Sequence, residues 1–171
     1  MNSVVLFDPS ILEPGDVLLY YEKDFIDTII AEKTGKAVGH IERYVGNGKS
    51  VASRNGVGVN EYDLRLTGLV CVRRAIPVVS GTPALDFSAG MDWFNKVAKG
   101  QKYDFEGLLT FTSFFKSGHD GEMFCSEFAV NFDRACGFEP FNPDQPPFET
   151  SPRDYWICGA FQTIWKSDSE Y

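Results

Sequence analysis

At 171 residues, 43% of them hydrophobic and 15% aromatic, the chain is long enough to bury a core of its own, and its composition argues against a disordered body. Twenty-four acidic residues against 16 basic ones give a formal net charge of −8, and no basic cluster exceeds the pair Arg73-Arg74. That balance argues against a nucleic-acid binder, whose affinity rests on clustered cations.

The opening MNSVVLFDPS lacks the basic start and apolar stretch of a signal peptide, and no apolar run reaches the length of a membrane span. A protein made in the cytosol is expected. Cys71, Cys125, Cys136 and Cys158 show no C-x-x-C pairing, so all four are read as reduced thiols.

In chain order, Glu13-Pro14-Gly15-Asp16 is turn chemistry, and Val17 to Tyr21 reads as a buried strand. Asp24 then caps a short helix whose Phe25, Ile26, Ile29 and Ile30 share a face, ended near Gly35. The runs His40 to Gly46 and Lys49 to Ser53 flank Asn47-Gly48, the strongest short-range hairpin signal. Gly56 to Val59 reads as a short edge segment, Tyr62 to Leu64 as a turn, and Leu69 to Ile76 as a strand closed by Pro77.

After Gly81 the period becomes helical. Thr82 stands at the N-cap, Pro83 at the first position, with Ala84, Phe87, Met91, Phe94 and Ala98 on one face and Gly100 past the end. Phe105 to Phe115 is apolar nearly all round and predicts a buried helix. A glycine-bearing loop with His119 leads into a helix whose face runs Cys125, Phe128, Ala129, Phe132, Cys136, stopped by Gly137. Residues 140–152, with five prolines, form a surface strap. Ser151-Pro152 opens a short helix, and the tail over 166–171 is polar and frayed. The reading is a single domain over 1–171 with its core over 13–165.

A cysteine on the apolar face of a helix is by default a small core residue. Cys125 differs in lying in a first turn, where unpaired N–H groups and the helix dipole favour a thiolate and could receive an oxyanion. Cys136 lies in the last turn, where the dipole has the opposite sign, and Cys71 and Cys158 default to filler. A cysteine nucleophile needs a base, and His40 on its strand is the first candidate, with His119 as the rival. Two histidines without ligand spacing do not make a metal site, and no cofactor is called for.

A histidine base is held in one tautomer by an acceptor. Glu42, two residues along the strand, shows the same face as His40 with Cα atoms about 6.5–7 Å apart. It could orient the ring or equally be a surface charge paired with Arg43. Ser50 and Ser53 are weaker candidates.

The succession PGDVLLY, GHIERYVGNG, SVASRNGVGV, KYDF, FCSEFA and SPRDYW resembles the circularly permuted papain-like hydrolases of the NlpC superclass, in particular the YiiX-like group. The lecithin:retinol acyltransferase-like proteins are more distantly similar. The resemblance covers about Glu13 to Trp156. It implies an α+β fold with an antiparallel, partly barrel-like sheet packed against helices, with Cys125 as nucleophile and His40 as general base. It places Tyr103, Ser126 and Glu127 near the site. The group's third polar residue falls on or beside Ala52, which cannot accept a hydrogen bond. Either a neighbour such as Ser53, Ser50 or Glu42 substitutes, or a dyad operates, or activity is lost.

The expected function is a cysteine-dependent hydrolase, a peptidase or amidase, acting on peptidoglycan peptides, isopeptides or acyl lipids through a thioacyl intermediate. The alternatives are an acyltransferase or thioesterase, and a non-catalytic module on the same fold. Access to a cell wall would need lysis or carriage in a phage particle.

Overall fold

The computed structural model describes residues 7–21, 38–76, 85–104 and 123–168. The helix expected from Asp24, the Thr82-Pro83 helix start, the Phe105 to Phe115 helix and the loop bearing His119 lie outside them.

Six strands form one antiparallel sheet: β1 (Val17–Tyr20), β2 (His40–Gly46), β3 (Lys49–Arg54), β4 (Gly58–Asp63), β5 (Leu69–Ala75) and β6 (Phe161–Lys166). Their spatial order is β4-β3-β2-β1-β5-β6. β4 and β6 stand at opposite edges, so the sheet is open rather than partly barrel-like. β1 is central and covered on both faces, and its residues are 0% exposed. That is why it reads as an unbroken apolar run.

Asn47 and Gly48 adopt the positive φ values (52° and 68°) that the tight hairpin turn demands. Just beyond the turn the register slips. Gly46 pairs with Lys49 but Tyr44 with Ser50, which leaves Val45 as a one-residue bulge.

One expectation along the sheet is corrected and one strand is new. Parts of the edge segment and of the turn belong to one continuous strand, β4, in which Val59 is buried while Asn60 and Glu61 are both exposed, so no alternation marks it. The sequence assigns no element to β6; it pairs with β5 from Phe161 to Lys166, with one irregularity at Ile164, and Phe161 is buried.

Helix α1 (Phe87–Trp93) is capped by the Asp86 carboxylate, which accepts from the N–H groups of Ser88 and Ala89. Asp86 thus supplies the cap oxygen one residue before this helix. α1 continues as a wider π turn over Phe94–Ala98. Helix α2 (Cys125–Ala135) ends at Gly137, with φ at 70°. Helix α3 (Pro152–Ile157) opens with a reciprocal box between Ser151 and Asp154. The strap before it holds a single 3-10 turn, Pro147–Glu149.

α2 lies on the sheet face formed by Val17, Leu19, Ile41, Val51 and Val59. Phe128 stacks among Trp93, Phe94 and Phe132 with centroids 5.8–6.3 Å away. Close approach of α1 depends on Gly90, because a Cβ there would lie 2.3 Å from Cys136 Sγ and 2.9 Å from the Phe132 ring. Gly90→Ala is therefore expected to lower the thermal midpoint. Overpacking costs about 1–3 kcal/mol, against about 1 kcal/mol of helix propensity gained. A midpoint unchanged or raised would show that the two helices are not held this tightly.

A second tie fixes α2 to the sheet. Arg43, fully buried, donates to Gly15 O (3.0 Å), pairs with Asp133 of α2, and lies 5.4 and 5.5 Å from the Tyr155 and Phe161 ring centroids. Tyr155 Oη donates to the other Asp133 oxygen at 2.7 Å. Burial pushes the Asp133 carboxyl up, to about 6, while the Arg43 charge and the Tyr155 hydroxyl pull it back. Among the described residues, no helix is long and apolar enough to cross a membrane.

Candidate active site

The entry to α2 is fixed by its backbone. The Met123 N–H donates to Lys102 O (3.0 Å), and Ser53 Oγ donates to Met123 O. Phe124 then stands at the N-cap in extended conformation without a side-chain cap, so Cys125 is the first helical residue. The first turn of a helix leaves N–H groups without intrahelical partners, and the dipole adds positive potential there. Cys125 is 1% exposed, with Sγ 3.9 Å from Gly39 O.

His40 opens β2, pairs with Tyr20 of β1, and is 5% exposed. The Cys125 side chain lies near enough to the imidazole to act on its protonation. Nε2 lies 3.1 Å from Glu42 Oε1, so Nδ1 is the nitrogen left for the thiol. Burial alone would lower the basicity of the ring. The hydrogen bonds and charges of Cys125 and Glu42 outweigh it and raise His40 from 6.5 to about 10.

Glu42 is 0% exposed and held from four sides. Besides His40 it accepts from Ser50 Oγ (2.5 Å) and from Arg54 Nε and Nη2 (3.0 and 3.1 Å), and Arg65 Nη2 lies 3.3 Å away. Burial would raise this carboxyl, but these donors bring it from 4.5 down to about 2. Arg43 pairs with Val51 across the hairpin, which sets Glu42 beside Ala52. The space beside the small Ala52 side chain thus borders a carboxylate from the next strand.

The other expected residues are placed as follows. Ser50 bonds Glu42, whereas Ser53 supports Met123 and does not reach the histidine. Tyr103 packs with Phe124 and Phe148 in a small apolar cluster. Ser126 Oγ donates to Thr150 O (2.6 Å) and hooks the strap onto the first turn of α2.

Glu127 occupies the third helical position, where its carboxyl takes the Phe124 backbone N–H. Burial and then the Asp104 charge push it up to about 7. Arg54 and Arg65 were not anticipated. Alternation along SVASR places Arg54 on the face of Ser50 and Ala52, and that was the available signal.

No family model and no curated protein matches the chain. Among solved structures, it is similar to the crystal structure of the metalloprotein yiiX from Escherichia coli O157:H7 (DUF1105). The TM-score is 0.66 at 18% sequence identity, covering 91% of this chain and 97% of that one. The fold is shared, as a mixed α/β arrangement around an antiparallel sheet.

That neighbour is described as a metalloprotein, so the donors here were tested against a metal. Among the described residues no three His, Cys, Asp or Glu side chains gather. His40 is engaged with Cys125 and Glu42, and Glu42 is surrounded by cationic donors. This donor set does not fit a metal ion.

Proposed function

We propose that the chain is a cysteine-dependent hydrolase of the permuted papain-like type, a single catalytic unit working in the cytosol on amide or ester bonds. The observation that carries this is a buried His40 imidazole held 3.1 Å from the Glu42 carboxylate, with the buried Cys125 thiol near enough to raise it and 3.9 Å from the carbonyl of the preceding residue, Gly39. His40 takes the Cys125 proton, and the thiolate forms a C–S bond to the acyl carbonyl while N–H groups at the start of α2 hold the oxyanion. The imidazolium then protonates the leaving amine or alkoxide as its bond to carbon breaks. Water, deprotonated by His40, hydrolyses the thioester and restores the thiol.

Glu42 holds the ring through Nε2–H and balances the imidazolium charge. It takes the role for which the resemblance pointed to Ala52.

Thiol labelling tests the reading with internal controls. Burial raises the Cys71 and Cys136 thiols to about 11 and 12 and also raises Cys158. Iodoacetamide at neutral pH is therefore expected to label Cys125 first. His40→Ala should slow that labelling about tenfold or more, and His119→Ala should leave it nearly unchanged. Labelling of Cys125 that ignores His40 would sink the proposal, and dependence on His119 instead would reassign the base.

The pH profile carries a sign. A raised His40 means that its proton, and the stability that proton brings, is fully present below 6.5 and lost as pH rises toward about 10. Glu42, being lowered, contributes above 4.5 and fails only as pH falls toward about 2. Hydrolysis of a p-nitrophenyl ester should accordingly lose its leaving-group acid only above about pH 8. An alkaline decline centred in the ordinary imidazole range would contradict the ion-pair arrangement.

A further inference from the structure

Both chain neighbours of Cys125 are held by the strap. Phe148, in its 3-10 turn, packs against Phe124, and Ser126 Oγ donates to Thr150 O (2.6 Å). The strap therefore lies across the first turn of α2, in which Cys125 is 1% exposed.

The strap is fixed at its two ends and bonds largely to itself in between. At one end the Phe141 ring meets the Tyr155 ring edge-on with centroids 5.0 Å apart, and Cys158 Sγ donates to Pro140 O (3.4 Å). At the other, Ser151 is locked into the box that opens α3, its N–H and Oγ both donating to Asp154 at 2.7 Å. Between these points the N–H groups of Asp144 and Gln145 bond to Asn142, that of Glu149 to Pro146 and that of Thr150 to Pro147. Pro143, Pro146 and Pro147 have no N–H to give.

The ties to α2 run through side chains. Arg134 Nη2 donates to Pro143 O (3.2 Å) and Gln145 O (2.9 Å), Ser126 holds Thr150, and Phe148 is half-buried against Phe124. α2 is anchored separately, by its apolar face on the sheet and by the Arg43–Asp133 pair. Releasing Ser126 and Phe148 thus breaks no backbone ladder and leaves the helix in place. Such a segment opens at a cost well below that of global unfolding.

We propose that residues 142–150 are a gate over Cys125, latched to the flanking positions by Ser126 and Phe148. The gate governs access to the thiol whether or not turnover follows.

Amide hydrogen exchange and labelling of Cys125 with fluorescein maleimide, both read by peptide mass, test it. Where one opening limits two reactions, loosening the latch multiplies both rates by the same factor. Ser126→Ala should raise strap exchange and Cys125 labelling together by about threefold to tenfold, the worth of one hydrogen bond. Phe148→Ala should raise both about tenfold, while the amides over 128–135 stay as slow as before. In the unaltered protein the strap amides should exchange ahead of those of α2, a readout that needs no variant to fold.

Strap amides as slow as those of α2 in the unaltered protein would overturn the gate. So would labelling and strap exchange that change by different factors in the variants, or two variants that leave both rates unchanged.

Discussion

Glu42→Gln is expected to lower kcat by a factor on the order of 10²–10⁴ while the protein stays folded. A glutamine is close in shape and can still accept from His40 Nε2–H through its carbonyl. It cannot balance an imidazolium, and its amide N–H₂ would confront Arg54 and Arg65, which now donate to a carboxylate. The histidine loses the charge that raises it, and proton transfer from Cys125 becomes uphill. Burst kinetics with a p-nitrophenyl ester measure the acylation step directly. A kcat within threefold of the unaltered protein would mean that His40 needs no charged partner and that a dyad suffices. Ser50→Ala removes only one neutral donor to Glu42 and should cost far less, about tenfold or below.

Asp133→Ala should produce the largest loss of stability in the chain, about 3–5 kcal/mol, because it strands the Arg43 guanidinium without a counter-charge in a fully buried place. For a domain of this size that corresponds to a fall of about 10 °C in thermal midpoint. Tyr155 loses its acceptor in the same step. Replacing Arg43 and Asp133 together by apolar residues of similar volume should recover much of the loss, since the cost comes from the unpaired charge. Calorimetry of the two single variants and the double variant settles this. A double variant as unstable as the sum of the singles would show that the pair is held for reasons other than mutual neutralisation.

Much of this site was legible before any coordinates. The hairpin at Asn47-Gly48, the stop at Gly137 and the Ser151-Pro152 helix start each rest on backbone conformations that only a few residue types supply, and each appears where expected. The pairing of His40 with Cys125 is an expectation from motif order, and Cys125 Sγ lies 3.9 Å from the carbonyl of Gly39, the residue before His40.

The partners of Glu42 were not legible in full, for a reason confined to one residue. With a plain two-residue turn, Glu42 would stand opposite Ser53. The bulge at Val45 slips the pairing by one, and a slip of one exchanges the faces of a strand. Ser50, Ala52 and Arg54 thus come to the Glu42 face, and Ser53 turns to Met123. Nothing in the composition of YVGNGKS announces a bulge. β6 was missed because its Gln162, Thr163 and Lys166 leave no apolar run. Its pairing comes from β5, whose free edge needed a neighbour.

The burial of the site has a kinetic consequence. At 1% and 5% exposure, Cys125 and His40 cannot be approached by a reagent without some local opening, so any observed rate is a product of two quantities. One is the intrinsic reactivity of the thiol, and the other is the fraction of time the cleft is open. Two reagents of equal electrophilicity and unequal bulk would separate them. If opening governs, their rates should diverge with size and converge under mild urea, and turnover would then be paced by breathing of the cleft rather than by carbon–sulfur bond formation.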